Sequence, residues 1–125
     1  QDVRIALDVT QEWEKTAKDG SSVVTGVIVV NTEYYNNNKA AVDKFLEEYR
    51  NSVDYVNANV DEASELVEKY DITKAAVAKQ AIPKCNIIFI TGNEAKTKIS
   101  SYLKVLYDAN PASVGGKMPG DDFYR

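Results

Sequence analysis

The amino-acid sequence predicts an α/β chain in which few strands are followed by several helices. Three observations predict it. Val23-Val24-Thr25-Gly26-Val27-Ile28-Val29-Val30 is a near-continuous β-branched run, of the kind that fits a strand buried on both faces. A shorter run with loose alternation, Val3 to Val9, precedes it and suits a partly buried strand. From Asn38 onward the apolar residues recur at helical spacing, as on helices that bury one face.

Between the two expected strands, Gln11 to Ser22 is polar apart from Trp13 and Ala17, and Asp19-Gly20 is a turn signal. Gly26 inside the second run suggests a bend or a close backbone approach. The first expected helix starts at Asn38 and sets Val42, Phe45, Leu46, Tyr49, Val53 and Val56 on one stripe. The second opens on Asn59-Val60-Asp61-Glu62, a capping-box pattern, and faces Ala63, Leu66, Val67 and Tyr70 inward. Thr73 caps a short third helix that Pro83 stops near Ala81. Asn86 to Ile90 reads as a strand or a buried extended segment. Thr91-Gly92-Asn93-Glu94 opens a last helix with Ile99, Tyr102, Leu103, Leu106 and Tyr107 on its inner face, ended by Asn110-Pro111. The tail, with Gly115-Gly116 and Pro119-Gly120, reads as irregular.

Composition bounds the function. The 125 residues carry a net charge of −4, and no basic stripe is visible to neutralise phosphates, which argues against nucleic acid as a partner. There is no histidine, the commonest general base and metal ligand, and there is one cysteine, Cys85. Without a histidine partner Cys85 reads as a small buried hydrophobe and not as a nucleophile. Gly115-Gly116 lacks the strand, helix and Gly-Lys-Ser/Thr of a phosphate cradle. Adjacent Asp121 and Asp122 supply too few oxygens for calcium. No catalytic residue, metal ligand or cofactor site is therefore expected. Most of the tyrosines sit at core spacing, and Trp13 either covers the core or lines a cleft.

Val3 to Trp13, Val24 to Val30, Ala76 to Asn86 and Ser113 to Pro119, with Asn38-Lys39-Ala40-Ala41-Val42-Asp43-Lys44-Phe45-Leu46-Glu47-Glu48-Tyr49 the most telling, carry a resemblance. They resemble the C-terminal part of solute-binding proteins of ABC importers, in the group similar to binders of thiamine precursors, alkylsulfonates and nitrate. The resemblance implies the C-terminal part of a two-lobed type II periplasmic-binding-protein fold. Residues 1–22 would be a crossover strand and inter-lobe hinge, 23–110 the C-terminal part of lobe one, and 111–125 an irregular tail. It implies a binding protein and not an enzyme, which captures a small solute between two lobes and delivers it to a membrane permease. Thr25 and Gly26 are carried over as ligand-binding residues. The implied partners are the solute, the permease and a remaining N-terminal part of the same protein, in an extracytoplasmic setting, periplasmic or lipid-anchored. Gln1, so close to a strand, reads as a start inside a longer protein. Two alternatives stay open: an independent α/β interaction or sensing module, and part of an enzyme like those of thiamine-pyrimidine synthesis.

Overall fold

The computed structural model describes residues 4–17 and 21–124. Val3 and the Asp19-Gly20 turn lie outside them. Among the described residues there are six α-helices and no β-strand. The expected α/β class, and with it the C-terminal part of a type II periplasmic-binding fold, is thus corrected to an all-helical domain. The physical reason is pairing. A strand is stabilised by cross-strand neighbours and a ladder, and Arg4–Asp8 and Val23–Val30 take no regular structure and have no backbone hydrogen bonds from any described residue that would form one. Asn86–Ile90 likewise takes no regular structure and is unladdered, so of its two sequence readings the strand falls away.

The chain divides into two compact units, Gln1–Ile28 with Ile90–Arg125, and Val29–Phe89. In the first, α1 (Val9–Thr16) takes the place of the end of the expected first strand. The Asp8 carboxylate accepts from the Gln11 N–H at 3.1 Å, satisfying one of the orphan donors of the first turn. Trp13 packs on Tyr102 with ring centroids 5.4 Å apart and donates its Nε1–H to Ser21 Oγ, so it is a packing residue. Tyr102 belongs to α6 (Gly92–Ala109), which Asn110 and Pro111 end as the sequence predicts. None of its residues is fully buried. The tail is more regular than expected, with 3-10 turns at Pro111–Val114 and Asp121–Phe123. Lys96 of α6 holds Asp121 at 2.9 Å and lies over the Tyr124 ring.

The second unit holds α2 (Thr32–Asn37), α3 (Lys39–Ala58), α4 (Val60–Lys69) and α5 (Ala75–Ala81). The sequence gives no periodic signal for α2, which Asn31 caps by accepting from the Tyr34 N–H. The long helix α3 matches the expected stripe in part. Val53 is buried and Val42, Leu46 and Val56 are half-buried, but Phe45 is 52% exposed. Asn38 and Asn59 stand at the N-cap positions of α3 and α4 without capping through their side chains, which instead donate back to the Tyr34 and Tyr55 carbonyls. Pro83 does stop α5, sitting in a 3-10 turn at Ile82–Lys84. The core of this unit is Ala63, Ala78 and Ile82, with Val56, Val60, Val67 and Ile87 packed against it. Two alanines at its centre let α4 and α5 approach closely.

Candidate functional site

An apolar groove of about 250 Å³ lies in the Val29–Phe89 unit. Amphipathic spacing builds one wall, because Ala63, Leu66 and Val67 of α4 recur at i, i+3 and i+4. Val56 of α3 adds to it, and Ile82 and Ile87 close the far side.

A left-handed turn supplies the rest of the groove. Asp71 has φ +56°, a conformation that a short polar side chain tolerates better than most. It lets the Asp71 N–H reach the Glu68 carbonyl at 3.0 Å and the Ile72 N–H reach the Val67 carbonyl at 3.1 Å. That pair of bonds is a Schellman motif, in which the residue beyond the turn meets the third residue from the helix end. Ile72 and Val67 occupy those positions, and both line the groove. Asn86 makes a second such turn at φ +48°. The next residue, Ile87, then gives its carbonyl to Asn57 Nδ2 at 2.8 Å, tying this segment to α3.

Ionic contacts brace the unit. The Glu68 carboxylate accepts from the Ala75 N–H at 2.9 Å and from Lys74 Nζ at 3.0 Å, so it caps α5 from the end of α4. The backbone hydrogen bond, followed by the Lys74 ammonium, lowers the pKa of Glu68 below the ordinary carboxylate value. On α3, Lys44 contacts Glu48 at 2.8 Å and Glu47 at 3.0 Å. Its pKa is raised chiefly by the bond to Glu48. Phe45, Tyr49 and the half-buried Phe89 form an aromatic row, and the Arg50 guanidinium lies 5.0 Å from the Phe89 ring centre.

The groove's lining is almost wholly apolar. It suits an apolar side chain or moiety and offers few polar groups with which to orient a polar solute. Among the described residues no group of three or more His, Cys, Asp or Glu is placed to hold a metal ion. The expected ligand-binding pair, Thr25 and Gly26, is exposed on the irregular run before α2. A side chain on Gly26 would meet nothing within 4 Å, and its φ is not positive. Neither residue lines the groove. Cys85, expected to be buried, is exposed. The sequence singles out Leu66 and Val67 as inward-facing but does not join them to Ile72 and Ile87, because the two left-handed turns that do so carry Asp and Asn and not glycine.

These features define a helical domain with an apolar groove. The chain matches no protein-family model, no curated protein and no solved structure. No helix among the described residues is long and apolar enough to cross a membrane.

Proposed function

We propose that this chain is part of the solute-binding component of an ABC-type importer, which captures a small solute and delivers it to a membrane permease. The observation that carries the reading is the ordered likeness of its sequence to that family, above all Asn38 to Tyr49. In support, Lys39 to Tyr49 folds as the first half of a continuous helix. The reading involves no catalysis and no cofactor. It places the protein outside the cytoplasm, with the permease and a further part of the same protein as partners. Thr25 and Gly26 would face the solute. The test is thermal-shift screening of the protein made from its complete reading frame, against thiamine precursors, alkylsulfonates and nitrate. One class should raise the melting midpoint, and Thr25→Ala should lower the affinity for it without loss of helix content. No response to any class, with no stimulation of a permease, would refute the reading.

One observation favours a second reading, a protein-interaction module. The groove presents apolar surface and almost nothing polar, which suits the apolar face of a partner helix. Capture of an amphipathic helical peptide, abolished by Leu66→Glu, together with no solute response, would select this reading.

A further inference from the structure

We propose that Val23–Val30 is a self-recognition segment, along which two copies of this chain pair as antiparallel strands. The proposal does not depend on the importer reading. Seven of the eight residues are β-branched, and no charge or proline occurs from Ser21 to Thr32. Val27, Ile28, Val29 and Val30 are all exposed, Val29 at 75%. No backbone hydrogen bond joins Val23–Val30 to another described residue. The run has no regular structure and leads to Asn31, extended at φ −63° and ψ 132°, which caps α2. Proteins usually protect such an edge with lysine, proline or a bulge. This one has none of these, and it matches the pattern of short, uncharged, β-branched segments that pair with their own copies.

Symmetry selects the occupant. The segment has no charge by which a different partner could choose it, and what it offers is a ladder and a β-branched surface. A second copy supplies both. Turned antiparallel about Gly26, Val23 stands opposite Val29, Val24 opposite Ile28 and Thr25 opposite Val27, so that β-branched residues meet β-branched residues. This two-fold arrangement is closed and self-complementary. It also sends the two Glu33 side chains to opposite ends of the ladder, whereas parallel in-register pairing would set them side by side. The net charge of −4 on each copy opposes association, so added salt should strengthen it.

The experiment is light scattering and sedimentation of the intact chain over a concentration series, with and without added salt. The expected result is a reversible rise in mass from 13.9 kDa to twice that value, stronger in salt, with an infrared band of antiparallel strands that grows with the dimer. Successive N–H groups point to opposite edges of a strand, so one of Ile28→Pro and Val29→Pro must delete a ladder donor on each copy, whichever edge pairs. That variant should dimerise about tenfold more weakly or worse. Neither position lies in a helix, so helical ellipticity should be retained and reports folding. A chain that stays monomeric throughout overturns the proposal, as does a dimer that both proline variants leave intact.

Discussion

Truncating Ile82 to alanine tests the core of the Val29–Phe89 unit most directly. Ile82 is 8% exposed and packs with Ala63 and Ala78. The change removes three carbons, at about 0.8 kcal/mol for each buried CH₂, or about 2.5 kcal/mol in all. A sealed cavity would add to this, at about 24 cal/mol per Å³ of void. Here the addition is small, because Ile82 also lines the groove and the new space opens into it. The expected loss is therefore about 2–3 kcal/mol, toward the low end for Ile→Ala. A unit this small has on the order of 3–9 kcal/mol of stability in total, so the loss is a large share. Urea unfolding followed by far-UV ellipticity should show it as a midpoint lower by about 2 M, for a slope of roughly 1 kcal/mol/M. Phe45→Ala is the informative comparison. The sequence puts Phe45 on the buried stripe, where truncation costs about 3–5 kcal/mol. The structure leaves it half exposed beside Tyr49, so its loss should be smaller than that of Ile82. A loss below about 0.5 kcal/mol for Ile82→Ala, or a larger one for Phe45→Ala, would refute this account of the core.

Further outcomes follow from the two left-handed turns and the carboxylate between α4 and α5. Asn57→Ala removes the bond to the Ile87 carbonyl and should cost about 1 kcal/mol, read as a lower urea midpoint with faster hydrogen exchange at the 86–89 segment. Asp71→Gly relieves a side chain held at positive φ and should stabilise by about 0.5–1 kcal/mol, so a lower melting midpoint would contradict the turn. Glu68 has a lowered folded pKa, from the Ala75 N–H first and Lys74 second. Its contribution is therefore fully present above the unfolded carboxylate value of about 4.3 and is lost as pH falls through the folded pKa. Glu68→Gln should flatten the acid limb of the stability curve, and an NMR titration that finds the Glu68 carboxyl above the ordinary value would exclude the cap.

The helices were legible where the sequence repeats at helical period and a stop signal follows. α3, α4 and α6 fall where the stripes put them, and Pro83 ends α5. Caps were less legible, because an Asn at the cap position has several uses. Asn31 caps α2, while Asn38 and Asn59 bond back to the preceding turn. α1 was hidden because Asp8 and Val9 sit at the end of an apolar alternation that also suits a strand. The strands were misread for a deeper reason. β-propensity describes how well a side chain fits a pleated, half-buried surface, and it says nothing about whether a neighbouring strand is there to provide one. The site was the least legible part. The groove depends on Asp71 and Asn86 adopting a conformation that the sequence leads one to expect of glycine.

The distribution of apolar residues carries the argument one step further. Hydrophobic residues make up 44% of the chain, enough for a substantial core. Yet among the described residues the buried apolar side chains are Val53, Ala63, Ala78 and Ile82, and two of these are alanines. The larger residues lie elsewhere: Ile5 is 87% and Leu7 71% exposed, and the Val27–Val30 run is open along its length. Scattered exposed apolar residues need no explanation, but contiguous ones mark surfaces that meet something. A fully exposed aliphatic side chain of this size forgoes about 1.5–3 kcal/mol of burial, a substantial share of a small domain's stability. Assembly would recover that energy in both readings of this chain, as part of a larger solute-binding protein or as a self-pairing module. Whether Val23–Val30 of one copy is satisfied by Val23–Val30 of another is what the paired proline variants decide.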